Sequence, residues 1–365
     1  MKQIRTLLLY AQNSLNRDLS YQYGWPRQFC AADTFDCIPI NIAFGNRFLN
    51  NWYASRVKKG DFDAIILLHS VLSNECYLRG ELFDAVRKSN ALKVYFIGNE
   101  YKMMPLKMQF CENLKIKVLI SQSNAREVHD LYRARLNGCM IAYLPNTGLD
   151  TALFFPKTAY EKRPIDIGYR SYEAPWYLGN NEKSDIATRF QEYLQHERFI
   201  IDISLEKAKR LNEKNWAQFL DSCKGQLGTE SGGDYFELTD ATRIRVNNYL
   251  NTHPHATFQE IFEIFFKNYG NSVTMRILSS RNIEAAGTKT VQILFEGHYN
   301  GHFQADVHYI PLRKDFSNRE EVIRKLKDVS LCQEIALNAY TLVLEEFTYE
   351  KLLNRLHDTL NPLLS

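Results

Sequence analysis

A chain of 365 residues, 45% hydrophobic and 24% charged, has the composition of a folded globular protein and is long enough for two cores. Its formal charge of +3 is too small for a nucleic-acid footprint, and the seven scattered cysteines, with no Cys-x-x-Cys pair, argue against a disulfide framework or a zinc ribbon. Reduced thiols in the cytoplasm are the expectation.

The apolar start, Leu7 to Tyr10, is far too short for a signal sequence or a membrane span, which leaves attachment to a membrane surface open. Thr6 to Tyr10 and Ala64 to Leu68 read as strands, and Val94 to Ile97, Val118 to Ile120 and Met140 to Leu144 continue the series. Between them, Leu78 to Ser89 and Ala125 to Leu136 carry apolar positions at helical period. Runs apolar on both faces that alternate with helices predict a parallel sheet covered on both sides. Pro145-Asn146-Thr147-Gly148, Phe154-Phe155-Pro156 and the polar stretch to Pro164 read as a linker.

The rhythm then restarts. Ile165 to Gly168 and Phe199 to Ile203 are predicted strands, Lys183 to Gln195 and Asn215 to Cys223 helical. Gly225 to Gly228 leads into the loop Thr229-Glu230-Ser231-Gly232-Gly233. Phe258 to Phe266 is a helix, Val291 to Phe295 and His308 to Leu312 are the last strands, and the chain is helical from Arg319 onward. The expected architecture is α/β: two Rossmann-like, doubly wound domains facing a central cleft. They span 1–148 and 165–346 around a linker at 149–164, and the final stretch 347–365 packs back on the first domain.

In such sheets ligands lie beyond the carboxyl ends of the strands. Ser279-Ser280-Arg281-Asn282-Ile283-Glu284-Ala285-Ala286-Gly287-Thr288 reads as a short helix between a loop and a buried strand. Its amino end, with Ser280 and Arg281, suits a diphosphate, and Glu284 one turn in suits a ribose diol. The Gly228 to Gly233 turn can approach phosphates closely but lacks the Lys-Ser or Lys-Thr of a P-loop and the G-x-G-x-x-G pattern, which removes the main support for ATPase and NAD-binding readings.

The second half resembles the GT-B glycosyltransferases, and within them the bacterial spore-maturation-type proteins. Four segments carry the resemblance: Ile165 to Arg170, Leu227 to Gly233, Ser280 to Thr288 with Gln292 to Tyr299, and His308 to Leu312 with Asp315 to Asn318. It implies a nucleotide-sugar donor held by the second domain and an acceptor (carbohydrate, glycolipid or protein) held by the first. Glu284 falls on the family's ribose carboxylate, and Arg170 on the loop where such enzymes point an Arg at the phosphates. Gly228, Thr229, Glu230, Ser231, Gly232, Gly297, His298 and Tyr299 complete the expected donor contacts. Many retaining members carry a Glu eight positions before the ribose carboxylate, which touches the donor sugar; here that position is Arg276.

In the first half, His69 and Glu100 each follow an apolar strand and are the candidates for proton transfer. His298, His302, Asp306 and His308 match no closed zinc spacing, and Asp61-Phe62-Asp63 precedes a strand where a metal-binding D-x-D follows one. No metal and no cofactor beyond the nucleotide sugar is expected. The reading is transfer of a sugar to an acceptor hydroxyl. A nucleotide-sugar epimerase and a non-catalytic nucleotide-sugar-binding or assembly protein are the alternatives.

Overall fold

The computed structural model describes residues 2–13, 20–270 and 273–364. These divide into two compact units, Met1–Asn146 with Phe236–Ala241 and Tyr349–Ser365, and Thr147–Tyr235 with Thr242–Thr348.

In the first unit, strands β1 (Ile4–Tyr10), β2 (Phe35–Asn41), β3 (Ala64–Leu67), β4 (Leu92–Phe96), β5 (Val118–Ser121) and β6 (Met140–Tyr143) form one parallel sheet in the order β2-β1-β3-β4-β5-β6. Helices α1 (Ser20–Ala31), α2 (Arg47–Lys59), α3 (Gly80–Lys88), α4 (Met104–Leu114) and α5 (Arg126–Arg135) make the crossovers that parallel pairing requires. Leu7 to Leu9 and Ile65 to Leu67 are wholly buried, which is why these strands read as unbroken apolar runs. The sequence left β2 unread because Pro39 interrupts it; the strand lies at the sheet edge, where a missing N–H is tolerated.

The second unit repeats the scheme. β7 (Ile165–Arg170), α6 (Glu182–Gln195), β8 (Ile201–Ser204), α7 (Glu213–Ser222) and β9 (Cys223–Gly228) lead to a two-stranded antiparallel ribbon, β10 (Ser231–Gly233) with β11 (Met275–Ile277). Helices α8 (Ala241–Thr252) and α9 (Phe258–Phe265) lie between the ribbon strands in sequence, and α10 (Ser280–Gly287), β12 (Val291–Phe295), β13 (Ile310–Leu312), α11 (Arg319–Lys327) and α12 (Val329–Glu346) follow. The main sheet is parallel, in the order β13-β12-β9-β7-β8. Ile167, Phe190, Leu227, Ile293, Phe295 and Ile335 are among its core. The structure thus has two doubly wound sheets. Counted from its own first strand, each begins 2-1-3-4-5, so the crossover direction reverses between β1 and β3 in one and between β7 and β9 in the other.

Two further pieces belong to the first unit. Helix α13 (Tyr349–Leu360) packs on α1, where Trp25 meets Tyr349 edge-on at 5.0 Å. Segment 236–241 sets Phe236 against Tyr132 at 5.3 Å, and the Asp240 carboxylate accepts hydrogen bonds from the Met103 and Met104 amides at 2.6 and 3.1 Å. It caps α4, whose preceding residue Met103 is left-handed (φ 56°) and supplies no capping side chain. Residues 147–164 group with the second unit. Among the described residues no helix is long and apolar enough to cross a membrane.

Candidate functional site

At the carboxyl ends of β7 and β9, where the second sheet reverses its winding, Tyr169 and the stretch Gln226 to Thr229 wall a narrow cleft. The start of α10 closes it with Ser279, Arg281 and Asn282, and α6 brings in Lys183. The enclosed space is about 10 Å³, room for one water.

Helix α10 begins there because its start is doubly capped. The Ser279 hydroxyl accepts from the Arg281 amide at 3.3 Å, and Asn282 Oδ1 accepts from the Ser279 amide at 3.1 Å. Asn282 also donates to Gln292 Oε1 while Gln292 Nε2 donates to the Asn282 carbonyl, both at 3.0 Å, which pins the helix start to β12. Gly228 permits this approach: a β-carbon there would stand 2.7 Å from Leu294 Cδ2.

One wall group is left over. Gln226 is 2% exposed, and neither its amide nitrogen nor its oxygen has a partner among the described residues. An unpaired buried amide costs roughly 1–3 kcal/mol, so a polar guest beside it would recover free energy. Two cations, Lys183 and Arg281, and no acid line the cleft with it. Burial lowers the Lys183 ammonium pKa, and the nearby Arg281 and Arg276 charges lower it further, against the pull of Tyr172 and Glu182. Arg281 donates to Ser171 Oγ at 3.0 Å, with its guanidinium 6.0 Å from the Trp216 ring centre. Two cations beside a helix amino end select an anion.

Glu284 lies one turn deeper, 2% exposed, and its Oε2 accepts from the Trp216 indole at 2.7 Å. Gly228 ends β9 and Thr229 follows it on the cleft wall, while Ser280 is the first residue of α10, between the lining residues Ser279 and Arg281. Arg170 turns elsewhere: it donates to Asp202 Oδ2 at 2.7 Å and to the Asp202 carbonyl at 2.9 Å, and it stacks over Phe219 at 4.3 Å.

The neighbouring loops are tied together. Glu230, its carboxyl pKa raised by burial, accepts from the Tyr299 amide at 2.7 Å. Gly297 lies against that carboxylate, and His298 is exposed. Tyr299, Asn300 and Gly301 are consecutively left-handed (φ 47°, 55° and 75°), a strained turn braced where Asn300 Oδ1 accepts from the Leu278 amide. Ser231 and Gly232 belong to the ribbon; at Gly232 (φ 90°) a β-carbon would fall 1.7 Å from the Met275 carbonyl oxygen. Across from Gly232, Arg276 binds both Glu182 oxygens at 2.8 Å and Asp234 at 2.5 Å, and Lys314 meets Glu182 at 2.8 Å. This network opposes the burial penalty on Glu182 and holds its pKa low.

In the first unit, His69 sits in a short turn after β3, its pKa pushed down to about 4 by burial and then by the Lys107 charge. Glu100 is 2% exposed and accepts from Tyr132 Oη at 2.6 Å, the Gln122 amide at 2.7 Å and Ser121 Oγ at 2.8 Å. Asp61 and Asp63 both pair with Arg5. Among the described residues no three His, Cys, Asp or Glu side chains gather as metal ligands. Sequence reasoning overlooked Lys183, Gln226 and Trp216; an isolated Gln in the middle of a buried strand was the available signal for the second.

No protein-family model matches the chain, and no curated protein matches it in sequence. Solved structures do. Sucrose-phosphate synthase from Thermosynechococcus elongatus aligns over 98% of this chain and 99% of its own at 10% identity, with a TM-score of 0.55. HepE from Anabaena, solved with UDP-glucose, aligns over 98% and 100% at 10% identity, also at 0.55. The N-terminal domain of trehalose-6-phosphate phosphatase from Candida albicans aligns over 99% and 97% at 12% identity and 0.51. At such identities the likeness is one of fold: the chain folds as the GT-B glycosyltransferases do.

Proposed function

We propose that this protein transfers a sugar from a nucleoside diphosphate donor to an acceptor hydroxyl, and that the donor's diphosphate lies across the mouth of the second unit's cleft, whose interior admits only a water. The observation that carries this is the pairing of Lys183 and Arg281 with the α10 amino end and the unpaired Gln226 amide at the sheet's switch point. As the glycosidic bond breaks, charge develops on the leaving diphosphate. The two cations and the helix amides would stabilise it, with no metal required. HepE binds UDP-glucose, which makes uridine diphosphate the natural first probe.

Glu284 is proposed for the ribose, with Trp216 orienting its carboxylate. A ribose hydroxyl would then join a group already fixed by the indole. Arg170, tied to Asp202, supports a role in joining β7 to β8. The burial of His69 and the three donors on Glu100 likewise favour structural roles for these two. Cytoplasmic location stays an expectation that rests on the scattered free cysteines.

A second reading, nucleotide-sugar binding without transfer, is favoured by Arg276. Where retaining relatives place a sugar-contacting carboxylate, this chain holds a guanidinium committed to Glu182 and Asp234. The deciding experiment incubates the protein with UDP-sugars, with and without mixed glycan and glycolipid acceptors, in excess chelator. Acceptor-dependent UDP release, lost in Lys183→Ala/Arg281→Ala, supports transfer. Tight binding without release or hydrolysis supports the second reading, and an epimer formed without acceptor supports an isomerase.

A further inference from the structure

Helix α2 carries an uncovered apolar side. Phe44, just before the helix, and Phe48 and Trp52 within it are 66%, 78% and 49% exposed. Their four-residue spacing places Phe48 and Trp52 on one helix face and Phe44 at its approach. Among the described residues no other three exposed large apolar side chains recur at this spacing. The stripe then turns cationic. Arg56 lies 5.2 Å from the Trp52 ring centre, and Lys59, seven residues after Trp52, falls on the same face. No acidic residue occurs from Ile42 to Gly60; Lys58, off that face, pairs with exposed Glu81 of α3 at 3.4 Å.

We infer that this stripe docks the protein on an anionic lipid surface. Phe44, Phe48 and Trp52 enter the boundary between headgroups and acyl chains, and Arg56 and Lys59 meet lipid phosphates. Charge complementarity selects this occupant. An indole flanked by phenyl rings prefers that boundary, and the adjacent cations gain from a negative surface. Neutral sugar chains would leave the basic turn without a counterpart, and Phe44 and Phe48 offer no hydrogen bond to their hydroxyls. A second copy set against the same stripe would bring like charges together. The inference is independent of the donor site.

The test sediments the full chain with vesicles of phosphatidylcholine alone or mixed with phosphatidylglycerol. Partition onto the anionic vesicles should be at least about tenfold stronger, and should fall by roughly tenfold or more in Phe48→Ser/Trp52→Ser. Arg56→Glu/Lys59→Glu should abolish the preference for anionic lipid while keeping parental circular dichroism. Equal partition onto both vesicle types, or parental partition of the Phe48→Ser/Trp52→Ser variant, would overturn the inference. So would a dimer that dissociates in that variant without any lipid binding, or binding to a neutral glycan without binding to vesicles.

Discussion

The two sheets share one winding but put different chemistry at the reversal point. In the second unit the carboxyl ends of β7 and β9 open on Lys183, Arg281 and an amide without a partner. In the first, whose reversal lies between β1 and β3, His69 after β3 is buried, and beyond the adjacent β4 Glu100 takes three internal donors while Lys107 donates to the Gly98 and Asn99 carbonyls at 2.5 and 2.9 Å. Identical topology offers both places as sites. Whether the side chains there are already satisfied decides which one invites a ligand.

The strongest perturbation should come from the second unit's buried charges. Arg276→Ala leaves Asp234 unpaired and Glu182 with Lys314 alone, and should cost about 3 kcal/mol in urea unfolding. A loss under about 1 kcal/mol would show the network to be dispensable, against the usual cost of breaking a buried pair.

A comparable effect, dependent on pH, is expected in the first unit. Folded His69 titrates near 4 and the unfolded imidazole near 6.5, so between these values only the unfolded chain takes up the proton. Stability from this group is therefore complete above about pH 6.5 and falls by an amount on the order of 3 kcal/mol as pH drops to 4. His69→Gln should flatten that part of the stability profile while leaving nucleotide binding unchanged. An unaltered slope would place the titration elsewhere.

Smaller losses should separate the two reversal points. Lys183→Ala and Arg281→Ala should each weaken UDP binding by roughly 1.5–3 kcal/mol by calorimetry, the scale of a charged hydrogen bond. Glu284→Ala should lose a similar amount of affinity, and it should also lower stability because the Trp216 indole is left without its acceptor. Smallest of all, Gln226→Leu should leave stability within about 1 kcal/mol of the parent or raise it, since it removes an unpaired amide, yet weaken UDP binding measurably. Unchanged affinity in Gln226→Leu would remove that amide from the site.

Much of the fold was legible because buried parallel strands are apolar on both faces, and Ala64 to Leu67 shows this most plainly. The elements that escaped are those whose local signals conflict. Helix α1 contains Pro26, which deprives the Gln22 carbonyl of its helical donor; the Gln12 side chain, ten residues earlier, supplies one at 2.5 Å. Segment 236–241 has no periodicity at all, and its place depends on Asp240 capping a helix 136 residues earlier. At the site, the cap and helix at Ser279 to Gly287 could be read from residue order. The direction of Arg170 could not, because Asp202 competes for it from the adjacent strand. Lys183 escaped because a lysine in the first turn of a helix looks like any solvated charge until the fold surrounds it.

The central claim, that the second unit's reversal point is where a nucleoside diphosphate binds, is tested most directly by amide hydrogen exchange of the full chain with and without UDP. Protection should rise over residues 226–231 and 279–284 and stay unchanged over 68–71 and 98–101, with the rise absent in Lys183→Ala/Arg281→Ala. Protection confined to 68–71 and 98–101, or none in either set at saturating UDP, would contradict it.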